Sequence, residues 1–125
     1  CRLAERALAG DSLSDWTRIT SFSNGWDNWF DSNDPDLAYA TKGSLVWLRG
    51  LLDVRSATGN VITTLASTLR PDKKVRYMVA GSSYGENDVG LVLQNGNVQI
   101  NNYASFTSSN WIFLDVIYDT DFDLG

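Results

Sequence analysis

The sequence has no histidine and only one cysteine among its 125 residues. Histidine is the commonest general base and the commonest transition-metal ligand, so its absence excludes serine triads, cysteine–histidine dyads and histidine-based zinc sites. The single cysteine, Cys1, cannot form a disulfide within the chain and makes neither a CxxC redox motif nor a zinc site. We therefore expect a domain that binds without catalysis and needs no cofactor or metal.

Basic charge and long apolar runs are also scarce. Lysine and arginine number 10 against 15 acidic residues, which gives a net charge of −5, and the longest basic run is Lys73-Lys74. A nucleic-acid-binding domain needs a basic patch to contact phosphates, so we expect no nucleic acid as a partner. No apolar run approaches the roughly 18 residues of a membrane span, so we expect no membrane insertion.

Apolar residues make up 43% of the chain, which is typical of one folded domain. Before it, the segment Arg2–Gly10 places Leu3 and Leu8 on one helical stripe and ends in a capping glycine. This pattern predicts a short helix, either the end of a coiled-coil stalk or a helix that docks on the domain. We assign residues 1–12 to a stalk remnant and residues 13–125 to a head domain.

From Trp16 onward the apolar period changes to two, the period of β-strands. In the segment Ser44–Arg55, one face is predicted to form the core and contains Val46, Leu48, Gly50, Leu52 and Val54. The opposite face carries Leu45, Trp47 and Leu51, which is too apolar for plain exposure to solvent. We expect a neighbouring subunit or a second sheet to cover it.

The segment Asp88–Ile100 predicts a hairpin with a two-residue type I′ turn at Asn95-Gly96. That turn would place Leu93 opposite Val98 and Leu91 opposite Ile100. Further strands are predicted at Thr17–Phe22, Leu37–Thr41, Val61–Leu65, Val75–Ala80 and Trp111–Tyr118. The predicted fold is all-β, an antiparallel β-sandwich or barrel head preceded by the short N-terminal helix.

Aromatic side chains alternate with acids and amides in the segment Asn24–Asp36. Saccharide sites use this mixture, because an aromatic face covers the apolar side of a sugar ring while carboxylates and amides bind its hydroxyls. Candidate ligand-binding residues here are Trp29, Asp27, Asn28 and Asp31. The alternative for Trp29 is a buried anchor of the loop. The calcium-loop pattern is absent, so spaced aspartates indicate turns rather than a metal site.

Two polar loops, Gly81–Asp88 and Asn101–Asn110, each contain an aromatic residue and flank the far end of the predicted hairpin. We expect them to emerge on the same side of the sheet and to form a shallow groove, although simple exposed loops would look the same. Candidate ligand-binding residues are Tyr84, Glu86, Asn87, Asn102 and Tyr103. Paired acids such as Glu86 with Asp88 would suit a glycosidase, but no activated base or nucleophile accompanies them.

An ordered series of short motifs runs from Trp16 to Tyr118. It comprises Trp16, Asn24-Gly25-Trp26, Tyr39, Lys42-Gly43 before Val46-x-Leu48-x-Gly50, Ile62-x-Thr64-Leu65, Leu69-Arg70-Pro71, Asn95-Gly96 and Trp111-x-x-Leu114-x-x-Ile117-Tyr118. In this order the series resembles the C-terminal head module of tail-fibre and receptor-binding proteins of tailed bacteriophages. Most of these residues are expected to form the scaffold, and recognition would lie in the loops.

The resemblance implies a homotrimeric head at the distal tip of a tail fibre or baseplate, carried by upstream fibre proteins. Such heads attach the virion to host cell-surface polysaccharide. In the alternative, the domain is a trimerisation tip or folding cap with no ligand of its own. Leu45, Trp47 and Leu51, with Leu3 and Leu8 of the stalk, are the predicted oligomer interface.

Overall fold

A computed structural model describes residues 13–121 of the chain, whose regular structure is antiparallel β-strand apart from two short 3-10 turns. The strands are β1 (Thr17–Arg18), β2 (Asp27–Asn28), β3 (Ala38–Lys42), β4 (Leu45–Asp53), β5 (Val61–Thr64), β6 (Val75–Gly81), β7 (Asn87–Val92), β8 (Asn97–Ile100) and β9 (Trp111–Asp119). Two short 3-10 turns cover Ser67–Leu69 and Tyr103–Phe106. The predicted all-β fold is confirmed, while the N-terminal helix with Leu3 and Leu8 lies outside the described residues.

The strands form one curled sheet, a half-barrel, in the order β1-β3-β4-β9-β6-β7-β8-β5, with β2 also paired to β4. Strands β4 and β9 form its centre and pair over nine residues, from Leu45 opposite Asp119 to Asp53 opposite Trp111. The predicted core face of β4 is confirmed, since Val46, Leu48, Gly50, Leu52 and Val54 are all buried. Within residues 13–121, no helix is long and apolar enough to cross a membrane.

The segment after β1 leaves the edge of β3 and crosses to the other end of the sheet. The Ile19 amide still donates to the Leu37 carbonyl at 2.8 Å, and four residues later the Ser23 amide donates to the Ile62 carbonyl of β5 at 2.8 Å. Thr63 Oγ1 also donates to the Ser21 carbonyl at 2.7 Å. The predicted strand Thr17–Phe22 therefore shrinks to two residues, because the rest of it covers the open edge of β5.

Asn28 fixes this crossing segment from within. Its side chain is 2% exposed, its Nδ2 donates to the Ile19 carbonyl at 3.2 Å, and its Oδ1 accepts from the Leu37 amide at 2.8 Å. Buried backbone groups require such partners because an unsatisfied one is costly. Asn28 was a predicted ligand-binding residue, but both ends of its amide are used inside the protein, so we assign it a structural role.

The β7–β8 hairpin differs by one residue from the predicted register. Val92 lies opposite Val98 and Gly90 opposite Ile100, so the predicted pairs of Leu93 with Val98 and Leu91 with Ile100 are wrong. The turn has three residues instead of two: the Gly96 amide donates to the Leu93 carbonyl, and Gly96 alone has a positive φ, of 94°. A left-handed glycine closing a three-residue loop is the next most common hairpin connection.

The type I′ geometry occurs instead at Asn24-Gly25. These residues have φ values of 54° and 76°, and the Trp26 amide donates to the Ser23 carbonyl at 3.1 Å. A Cβ on Gly25 would collide with the carbonyl oxygen of Ser56, so only glycine fits there. The Asn24 side chain donates to the Val61 carbonyl at 3.1 Å, which locks the turn onto the start of β5.

Replacing Asn28 with alanine is expected to lower the free energy of unfolding by about 2–4 kcal/mol, because the Leu37 amide and the Ile19 carbonyl lose their buried partner. Chemical denaturation of the purified chain measures this loss. Asn101→Ala is the matched control: Asn101 is exposed, and its replacement should change stability by less than about 0.5 kcal/mol. Equal stability of the two variants would contradict the structural role of Asn28.

Candidate functional site

Several loops gather at the end of the sheet where β4 and β6 finish and β9 begins. The Val54 amide donates to the Asn110 carbonyl at 3.2 Å, and the Ser82 amide donates to the Trp111 carbonyl at 2.9 Å. Ser82 Oγ in turn accepts from the Asn110 amide at 2.7 Å. We call residues 27–36, 53–60, 82–88 and 101–110 the loop surface. Loops carried on a rigid scaffold are the usual location of binding residues.

Glu86 joins two of these loops. Its carboxylate accepts hydrogen bonds from Ser109 Oγ at 2.6 Å, from the Ser108 amide at 3.0 and 3.1 Å, and from Thr107 Oγ1 at 3.2 Å. These bonds, led by that from the Ser109 hydroxyl, hold the pKa of Glu86 below its usual value. Glu86 was predicted to bind a ligand, yet in this structure both of its oxygens hold the loop 101–110 against the β6–β7 turn.

Asp88 makes a second connection between the same loops. Its Oδ2 accepts from the Asn102 amide at 2.8 Å and from Ser105 Oγ at 3.1 Å. Asn102 remains exposed and caps the short 3-10 turn, since its Oδ1 accepts from the Ala104 amide. Tyr103 packs against the core. The two loops therefore meet, as the sequence predicted, while Glu86, Asn102 and Tyr103 all help to hold them in place.

Tyr84 stands out from the same region. The turn that carries it is closed by a 3.1 Å hydrogen bond from the Glu86 amide to the Ser83 carbonyl, and Gly85 follows with a φ of 82°. The Tyr84 side chain is fully exposed, with a relative accessibility of 105%. Asn87, also exposed, lies just beyond the turn. These two predicted residues are presented to solvent, and the Glu86 contacts fix the backbone beneath them.

Trp29 is half-buried beneath Arg55, which was not among the candidate ligand-binding residues predicted from the sequence. The Arg55 guanidinium lies 4.8 Å from the centre of the Trp29 ring. It is held there by Asp53, whose two oxygens accept from Arg55 Nε at 3.0 Å and Nη2 at 2.9 Å. This pairing lowers the pKa of Asp53 and raises that of Arg55. The sequence feature that could have predicted this pairing is the i, i+2 spacing of Asp53 and Arg55 at the end of β4.

The acids near Trp29 are exposed, and each uses one carboxylate oxygen in a hydrogen bond to a nearby backbone amide. One oxygen of Asp27 accepts from the Asn28 amide at 2.8 Å, and one oxygen of Asp31 accepts from the Asn33 amide at 2.9 Å. Phe30, between them, is 72% exposed. Nowhere in residues 13–121 do three or more cysteine, aspartate or glutamate side chains group closely enough to hold a metal. The surface offers aromatic faces beside carboxylates and amides, which suits a polyol.

The predicted oligomer-interface residues of β4 divide into two kinds. Leu45 and Leu51 are only 6% and 4% exposed, so their own chain already covers them. Trp47 is half-buried, and its ring meets that of Trp16 edge to face, with the ring centres 5.2 Å apart. Of these three residues, only Trp47 retains appreciable surface for a neighbour.

The half-barrel has the same fold as a solved phage receptor-binding protein, in agreement with the resemblance that the motif series indicated. The receptor binding protein gp15 of Listeria phage PSA has a crystal structure with this fold. The two chains align with a TM-score of 0.66 and 17% sequence identity, over 97% of this chain and 71% of that one. No family model and no curated protein matches the sequence. The resemblance is therefore confirmed in the fold.

The Glu86 contacts should give the loop surface a defined pH dependence. Because the pKa of Glu86 is lowered in the folded state, its contacts stabilise the loops above pH 4.5, the ordinary glutamate value, and are lost as the pH falls through the folded-state pKa. An NMR titration of the Ser108 amide should show a midpoint below 4.5, and Glu86→Gln should remove that transition. A wild-type midpoint at or above 4.5 would show that the carboxylate gains nothing from these hydrogen bonds.

Proposed function

We propose that this chain is a phage receptor-binding head that attaches the virion to host cell-surface saccharide without catalysis. The observation that carries the proposal is the likeness of its fold, over 97% of the chain, to a protein described as a phage receptor binding protein. Recognition resides in the loop surface, where Tyr84 and Asn87 are presented on a fixed turn and Trp29 lies under Arg55.

The chemistry of the exposed side chains supports saccharide as the ligand class. Tyr84 and Phe30 offer open aromatic faces for the apolar side of a sugar ring, and Asp27, Asp31 and Asn87 offer acceptors and donors for hydroxyls. Each hydroxyl exchanges water bonds for protein bonds at small net gain, so one site binds weakly. A homotrimer, repeated on several fibres of one virion, raises the effective concentration and makes attachment stable.

The head is proposed to sit at the distal tip of a tail fibre or baseplate, joined to upstream fibre proteins through residues 1–12. Localisation in the virion follows from the proposed role. No catalytic step is assigned to Glu86 or Asp88, because their oxygens hold the loops 82–88 and 101–110 together.

A structural trimerisation tip or folding cap is the second candidate. The outward face of the central strands favours it, because Trp16 and Ile117 leave apolar surface exposed there. In this alternative, changes in the loop surface leave adsorption intact, whereas changes in the outward face dissociate the assembly.

Tyr84→Ala is expected to weaken binding to bacterial cells and to their purified cell-wall polysaccharide. Loss of one aromatic stacking partner should lower the affinity per site roughly ten-fold, with a larger loss in cell labelling, where several sites act together. Labelled protein and polysaccharide fragments, applied to a panel of bacterial cells, provide the measurement. Stability should stay unchanged, since the side chain is fully exposed.

Two control variants make this test specific. Tyr84→Phe keeps the ring and should bind like the wild type if stacking dominates, and Lys73→Ala changes an exposed residue before β6, at the other end of the sheet. If wild-type protein labels no cells and binds no polysaccharide, the receptor-binding role fails. If Tyr84→Ala binds as well as the wild type, the loop surface around Tyr84 is not the site.

A further inference from the structure

Arg55 covers one face of the Trp29 ring at the end of β4. Its guanidinium carbon lies 4.8 Å from the centre of that ring. The Arg55 side chain is 57% exposed, whereas Trp29 is half-buried, so the guanidinium lies on the solvent side of the ring. While Arg55 stays there, this face of Trp29 is closed to stacking with a sugar ring.

Asp53 holds Arg55 in this position. Its Oδ2 accepts from Arg55 Nη2 at 2.9 Å, and its Oδ1 accepts from Arg55 Nε at 3.0 Å and from the Arg55 backbone amide at 2.9 Å. The bond to the backbone amide does not involve the guanidinium, so it keeps Asp53 in place when the Arg55 side chain moves away. Such a movement frees Asp53 Oδ2 for another donor.

The two contacts that hold the guanidinium are exposed and therefore weak. An ion pair in which the arginine is 57% exposed gains little, because water and salt screen the charges. A cation over an aromatic ring at an exposed site adds a similarly small amount. The covering and the displaced positions of Arg55 thus differ little in free energy, and a ligand that binds only the displaced form can shift the population towards it.

A sugar ring can replace both of these contacts. Its apolar side stacks on the Trp29 face in place of the guanidinium, and one of its hydroxyls donates to Asp53 Oδ2 in place of Nη2. Asp27 lies opposite Asp53 on the neighbouring strand β2, and its side chain is exposed. Two carboxylates beside the ring accept from hydroxyls and repel an anionic substituent, so the uncovered position suits an uncharged sugar.

We propose that Arg55 is a specificity-determining residue, which covers the Trp29 face in the free protein and is displaced by an uncharged sugar residue of the ligand. The proposal rests on the proposed function and deepens it, since it assigns one sugar position to the Trp29 face beneath Arg55. The cover lowers the affinity for every ligand, because only molecules with Arg55 displaced are competent to bind there. It selects a sugar that replaces both the stacking contact and the hydrogen bond to Asp53.

Replacing Arg55 with alanine tests the proposal. Calorimetric titration of the full chain uses purified cell-wall polysaccharide fragments, glucose, galactose and N-acetylglucosamine. Arg55→Ala should bind about ten-fold more tightly than the wild type, because its Trp29 face is open in every molecule. The difference should narrow in about 1 M salt, which screens the Arg55–Asp53 pair of the wild type. Lys73→Ala removes the same charge from an exposed residue at the other end of the sheet and should bind like the wild type.

A double variant shows whether the gain comes through Trp29. Trp29→Leu keeps an apolar side chain without the ring, and adding Arg55→Ala to it should change the affinity by less than about two-fold, since the two residues act on the same contact. Circular dichroism identifies a Trp29→Leu protein that fails to fold. In that case the NMR signal of the Trp29 indole N–H decides, because the bound sugar should shift it in Arg55→Ala.

The outcomes separate this proposal from the receptor-binding one. If the wild type binds and Arg55→Ala binds equally or more weakly, the role of Arg55 is rejected and the receptor-binding role stands. A gain that persists in the Trp29→Leu background, or a bound sugar that leaves the Trp29 signal unchanged, would also overturn it. If neither the wild type nor Arg55→Ala binds any of these ligands, both proposals fail, whereas binding by Arg55→Ala alone supports both.

Discussion

The buried side chain of Asn28 holds the segment that crosses between the two ends of the half-barrel. The sheet has two terminal strands, β1 and β5, and the segment 19–24 runs from one to the other. Asn28 joins Ile19 at the start of that segment to Leu37, the residue before β3, with one side-chain atom for each. Without the Asn28 side chain, the buried Leu37 amide and the part-buried Ile19 carbonyl would lack these partners, and the segment that covers the edge of β5 would be held less firmly.

At the loop end of the sheet, polar side chains are likewise used for internal hydrogen bonds. Glu86 and Asp88 accept hydrogen bonds from backbone amides and hydroxyls of the loop 101–110, and Asp53 accepts hydrogen bonds from Arg55. Carboxylates that the sequence leaves available for ligand chemistry thus become positioning groups. Two of the aromatic side chains on the loop surface lie next to these contacts: Tyr84 is exposed on the turn that Glu86 holds, and Trp29 is half-buried against Arg55.

The alternation of apolar and polar residues made most of the strands predictable. The form of the turns was not predictable, because it depends on contacts that are distant in the sequence. Strand β4 and its core face followed from alternating apolar residues, because burial of one face fixes which residues point inward. Both Asn-Gly pairs carry the same turn signal, but Asn24-Gly25 adopts the two-residue form and Asn95-Gly96 belongs to a three-residue loop. That choice depends on what each turn packs against, such as the carbonyl of Ser56 beside Gly25, which lies far away in the sequence.

Candidate site residues were harder to predict for a related reason. Polar residues in aromatic-rich loops suit both ligand binding and internal bracing, and the sequence does not show which hydrogen-bond partners lie within reach. Asn28 and Glu86 are internal by virtue of contacts to Leu37 and Ser109, nine and 23 positions further along the chain. Tyr84, in contrast, occupies a turn whose following glycine has no neighbouring atom within 4 Å of where a side chain would begin. A residue so free of packing can be exchanged for another without disturbing the scaffold, so the chemistry of the protein surface at this position can change while the fold stays the same.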